Sequence, residues 1–116
     1  MTTEHEGTTG LAAELSREMV RLYKECYGKG PPKARTQIFD DVVVCLLEGG
    51  LLKGEETLVA AGRTEVVTVQ REAFQEVLRK RFVETVEELT GRRVASFVSG
   101  MDVETEMSAE IFVLGD

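Results

Sequence analysis

The stretch Tyr27-Gly28-Lys29-Gly30-Pro31-Pro32-Lys33-Ala34-Arg35 gathers three cations with no acidic residue between them, in a chain whose formal charge is −7. Backbone N–H groups of Gly28, Lys29 and Gly30, with the side chains of Lys29, Lys33 and Arg35, form a candidate site for a small anion such as bicarbonate or phosphate. The competing reading is a structural turn whose cations aid solubility or meet the acidic tail of a partner chain. A helix ending at Gly28 presents carbonyls and a negative partial charge, which opposes an anion there. The stretch is not a phosphate-binding P-loop, because G-x-x-x-x-G-K-[ST] is absent. It also lacks the G-x-x-G between two helices of a KH-type RNA-binding loop.

Other reactive residue types are sparse. Asp40-Asp41 reads as adjacent strand residues on opposite faces, so the pair does not form a carboxylate dyad. One of the two can join a divalent metal, or form an ion pair with Arg35. His5, the only histidine, falls in a polar N-terminal stretch, which removes the usual general base and zinc ligand. Cys26 and Cys45 show no C-x-x-C or Cys/His spacing and read as buried reduced thiols. No catalytic residue, metal ligand or cofactor motif is expected, and the chain reads as a non-enzyme.

Composition narrows the partners. A chain of 116 residues, 42% apolar and 30% charged, fits one soluble globular domain, expected over 10–116 after a disordered 1–9. The acidic balance argues against nucleic acid and anionic membrane surfaces, which need a positive field. No signal peptide is visible, and the longest apolar run, Val42 to Leu47, is far short of a membrane span, so a cytoplasmic location without membrane insertion is expected.

The glycines and prolines of 28–32 interrupt both helix and strand and so separate an amphipathic helix from an apolar strand. The helix is predicted from Leu11 to Tyr27, with Leu11, Leu15, Met19, Leu22 and Cys26 on one face, Thr8 or Thr9 as N-cap and Gly28 as terminator. Ile38 to Leu47 reads as one strand, rich in Val and Ile and free of Gly and Pro. A short helical piece, Glu55 to Ala61, precedes a long helix, Thr64 to Leu89, whose predicted stripe is Val66, Val69, Ala73, Phe74, Val77, Leu78, Phe82, Val86 and Leu89, with Gly91 ending it. Arg93 to Ser99 and Met107 to Leu114 read as a hairpin with a longer loop.

The predicted fold is therefore α+β, a two-layer sandwich in the order α-β-α-α-β-β. Two long helices and a short one pack on a three-stranded, mostly antiparallel sheet. If Val42, Val44, Leu46 and Ile111 face the helices, then Val43, Cys45, Leu47, Phe97, Phe112 and Leu114 remain on an uncovered apolar face, and a homodimer through a sheet face or edge is expected.

Several ordered blocks resemble the MpsC-like family of small bacterial domains. They are Leu15-Ser16-Arg17-Glu18-Met19-Val20-Arg21-Leu22-Tyr23-Lys24, the 27–35 corner, Asp40-Asp41-Val42-Val43-Val44-Cys45 with Glu48-Gly49-Gly50-Leu51, Glu56-Thr57-Leu58 with Gly62-Arg63, Val86-Glu87-Glu88-Leu89-Thr90-Gly91, and Glu110-Ile111-Phe112-Val113-Leu114. The family takes its name from a sodium-linked, membrane-potential-generating system associated with inorganic carbon uptake. The resemblance implies an accessory or regulatory role beside a membrane transporter subunit, exercised through protein association, and carries no catalytic residues. A stand-alone module for a small anion or ligand is the alternative, and a metal-dependent enzyme using Asp40 or Asp41 comes third.

Overall fold

The computed structural model describes residues 10–116 with their side chains and the backbone from Thr2; the expectations for 1–9, including the disordered stretch, the N-cap and His5, lie outside the fully described residues. The elements are α1 (Thr2–Tyr27), β1 (Lys33–Phe39), β2 (Val42–Glu48), α2 (Lys53–Ala60), α3 (Thr64–Thr90), β3 (Val94–Asp102) and β4 (Met107–Leu114). The class is α+β as predicted, but the sheet has four strands, in the order β1-β2-β4-β3, with every neighbouring pair antiparallel. The chain order is α-β-β-α-α-β-β.

The extra strand corrects the single strand predicted over Ile38–Leu47. That run is a hairpin: β1 begins directly after Pro32 and β2 at Val42, with Phe39 opposite Val42 and the turn made by Asp40 and Asp41. Asp40 adopts φ 55°, a left-handed conformation that aspartate tolerates better than most residues. Two aspartates thus reverse the chain without glycine or proline, and neither lies on a strand as the sequence suggested.

Both long helices lie on one face of the sheet, α1 against β1 and α3 against β3, and they pack on each other. The core between the layers holds Leu15, Met19, Leu22 and Tyr23 from α1, Leu78, Phe82 and Val86 from α3, and Val43, Cys45, Leu47, Phe97, Phe112 and Leu114 from the sheet. The division of the strands into two apolar sets is as the sequence indicated, but the faces are exchanged. Val43, Cys45, Leu47, Phe97, Phe112 and Leu114 face the helices, whereas Val42, Val44, Leu46 and Ile111 face away. Parity fixes the two sets; only the packed helices fix which set is inside.

Gly28 (φ 83°) and Gly91 (φ 71°) end α1 and α3, each donating its N–H to a carbonyl four residues back, Lys24 and Glu87. The stripe of α3 differs from expectation. Val69 and Val77 are 65% and 74% exposed, and the buried line is Val67, Arg71, Gln75, Leu78, Phe82 and Val86. A second, smaller cluster of Leu51, Val67 and Val103 fixes α2 and the β3–β4 loop to the N-terminal part of α3.

Candidate functional site

The corner is a packing joint. A Cβ on Gly49 would lie 2.7 Å from the Pro32 ring and one on Gly50 3.2 Å from the Pro31 Cα, so the two prolines seat directly on the two glycines that end β2. Gly49 and Gly50 also hold φ near 80° and 93°, where a side chain is strained. Gly30 is closed in by Val20 and Lys24 of α1.

The structure does not bring the three cations of the corner onto one point. Lys29 donates its Nζ to the Leu51 carbonyl at 3.0 Å. Lys33 and Arg35 belong to β1 and both approach Glu48 of β2, at 3.5 and 3.9 Å. These are exposed contacts of small energetic weight, but they give each cation an acceptor within the chain. Asp40 and Asp41 are exposed in the hairpin turn, and Arg35 pairs with Glu48 instead of either. Among the described residues, no group of three His, Cys, Asp or Glu side chains is placed to hold a metal ion.

What the sheet presents away from the helices is more distinctive. In register across β1, β2, β4 and β3 stand Gln37, Val44, Ile111 and Val98; the next rows are Phe39, Val42, Val113 and Ser96, then Arg35, Leu46, Ala109 and Gly100. Phe39 and Val98 are 53% and 58% exposed. Arg35, Gln37, Phe39, Val44 and Leu46 line a shallow groove on this face. The face is largely apolar across four strands, with Lys33 and Arg35 at the β1 margin.

The opposite face conceals a polar row that sequence reasoning missed. Thr36, Cys45, Glu110 and Ser99 lie side by side across the four strands beneath α1. Glu110 is fully buried, and Tyr23 of α1 donates its hydroxyl to Oε1 at 2.7 Å. Burial pushes the Glu110 carboxyl up to about 7, against the opposing pull of the neighbouring Ser99 hydroxyl and of the hydrogen bond from Tyr23. Burial also raises the Cys45 thiol to about 11, and Thr36 donates to its sulfur at 3.4 Å, so neither the thiolate nor a nucleophilic role is favoured at Cys45. The sequence showed that Ser108, Glu110, Phe112 and Leu114 share one parity of β4, so Glu110 lies on the same face as two large apolar residues, but which face is inside follows only from the packed helices.

Beside this row, Arg71 of α3 lies 4.0 Å over the Tyr27 ring and binds Glu55 of α2 through both carboxylate oxygens, at 2.9 and 2.6 Å. It also donates to the Gly50 carbonyl at 3.0 Å. This is a buried ion pair that holds elements together.

No helix among the described residues is long and apolar enough to cross a membrane. No solved structure matches the chain. A relative is "Uncharacterized protein YrhF" of Bacillus subtilis (strain 168), 28% identical over 95 residues, which cover 80% of this chain and 78% of that protein. The profile of the family described as "Na+-translocating membrane potential-generating system (MpsC)" matches residues 8–116, which is nearly all of the chain, and the chain belongs to that family.

Proposed function

We propose that this chain is a non-enzymatic accessory or regulatory domain that works by protein association, on the cytoplasmic side of a membrane ion- or inorganic-carbon-transport system. The observation that carries the reading is the uncovered sheet face, where Val42, Val44, Leu46 and Ile111 lie opposite a face fully sealed by two helices. The family description, a Na+-translocating membrane potential-generating system, supports the link to a membrane ion system, and the occupant we propose first for the face is a second copy of the chain.

The test is pull-down of the membrane subunit from membranes of the source cell on the tagged chain, followed by sedimentation of the chain alone. Recovery of a complex with the parent chain, and its loss with Leu46→Glu, supports the reading. A monomer that neither self-associates nor retains the membrane subunit overturns it. The alternative, a small-anion module, uses Lys29, Lys33 and Arg35, and calorimetry with bicarbonate or phosphate separates the two.

A further inference from the structure

Three buried side-chain oxygens among the described residues have no hydrogen-bond partner: Tyr27 OH, Ser99 Oγ and Glu110 Oε2. All three belong to one neighbourhood. Ser99 stands directly across from Glu110 in the β3–β4 register, Glu110 accepts from Tyr23, and the rings of Tyr23 and Tyr27 stack with centroids 5.4 Å apart. A carboxylate in this place would be an interior charge with few donors, and such a charge is expensive to bury. The Tyr23 hydroxyl is bonded to Oε1 while Oε2 has no partner, so a proton on Oε2 removes a charge that this interior does not solvate.

We infer that Glu110 is a proton-binding site, and that the proton it carries controls how firmly α1 is seated on the sheet. Helix α1 is the element affected because it supplies Tyr23, the hydroxyl bound to Glu110, and Tyr27, the hydroxyl without a partner. When Glu110 ionises, the closed arrangement must hold an unpaired charge between α1 and β4, and the cheapest relief is to admit water by loosening α1.

The surrounding groups leave Glu110 as the one group here that changes charge near neutrality. From α1, Tyr23 is raised far above its ordinary value, by burial first and then by Glu110, and Tyr27 is raised to about 12, mainly by burial. From β2, the Cys45 thiol is held up at about 11. From α3, the Arg71 guanidinium lies over Tyr27 but is committed to Glu55 through two bonds, and from β3 comes only the neutral hydroxyl of Ser99. The inference goes beyond the proposed association and does not depend on it.

The experiment is ¹³C NMR titration of the side-chain carboxyls of the full chain, with Glu110 assigned by its loss in Glu110→Gln, alongside hydrogen exchange of residues 15–27 from pH 6 to pH 8, corrected for intrinsic rates. The expected result is a Glu110 midpoint near neutrality and opening of α1 that increases about tenfold across that range in the parent. Opening should be flat with pH in Glu110→Gln. Should that variant fail to fold, Tyr23→Phe removes a donor that favours the ionised form and should move the Glu110 midpoint upward. A Glu110 midpoint below pH 5, or α1 protection in the parent that does not change with pH, overturns the inference.

Discussion

Arg71 and Glu55, respectively 3% and 4% exposed, form a two-pronged ion pair that joins α3 to α2. The same carboxylate accepts the Leu52 N–H at 2.8 Å and so closes the N-terminus of α2, while the same guanidinium covers Tyr27 at the end of α1 and holds the Gly50 carbonyl. One pair therefore fastens three helices and the end of β2. Burial alone would raise Glu55, but the Arg71 and Leu52 hydrogen bonds outweigh it and leave the carboxyl below its ordinary value. Removing one partner strands the other charge in the interior. Arg71→Met should therefore destabilise the fold by about 3–5 kcal/mol in urea denaturation. Adding Glu55→Gln to Arg71→Met should restore part of that loss, and purely additive losses would show that the two residues act separately.

The two buried carboxyls give stability opposite dependences on pH. For Glu55 the folded value is depressed, so its contribution is present above the unfolded value and disappears as pH falls through the folded one. For Glu110 the folded value is raised, so its contribution is complete below the unfolded value near 4.5 and is lost as pH rises through about 7. Chemical denaturation should show stability declining by roughly 3 kcal/mol between mildly acidic and mildly alkaline pH, from the size of that shift. Glu110→Gln, which cannot ionise, should remove the decline. A parent whose stability is level from pH 5 to pH 8 contradicts this account.

Most of the architecture was readable from periodicity and punctuation. The heptad-like spacing from Leu15 to Cys26, the terminal Gly28 and Gly91, and the alternation of β4 each name an element for a local physical reason. Two things were not readable in the same way. The Asp40-Asp41 reversal carries no glycine or proline, and the apolar residues on both sides of it gave one run where the chain makes two strands. The roles of Arg71 and Glu110 depend on tertiary placement: both are charged residues of ordinary surface type, and only their position on lines of large apolar neighbours, Val67 to Phe82 and Phe112 to Leu114, marks them as interior. The 27–35 corner was legible as a corner, but the partners of its prolines, Gly49 and Gly50, are distant in sequence and became visible only in the fold.

That joint makes a prediction of its own. At Gly49 a methyl group meets both a φ of 80° and the Pro32 ring, with Cδ at 2.7 Å and Cγ at 2.8 Å. Gly49→Ala should cost about 1–3 kcal/mol, the range for a residue held in a strained backbone region. Adding Pro32→Ala clears the steric contact without changing φ, so the double variant should regain part of the loss and not all of it. Full recovery would show that the backbone conformation at 49 costs nothing.

The uncovered sheet face gives the last prediction, because a surface built for contact differs from a core in what it tolerates. Leu46 is half-buried and points away from the helices, so Leu46→Glu should change folding stability by less than about 1 kcal/mol. The same change places a charge in the middle of the Arg35, Leu46, Ala109 and Gly100 row, where a contacting partner would have to desolvate it. Sedimentation of the parent chain should report a particle of twice 12.8 kDa at micromolar concentration, and Leu46→Glu should report the single chain. Val77→Glu is the control, since Val77 is more exposed than Phe39 or Val98 of the sheet face but belongs to α3, in the helix layer. A dimer that survives Leu46→Glu and dissociates with Val77→Glu would move the interface from the sheet to the helix.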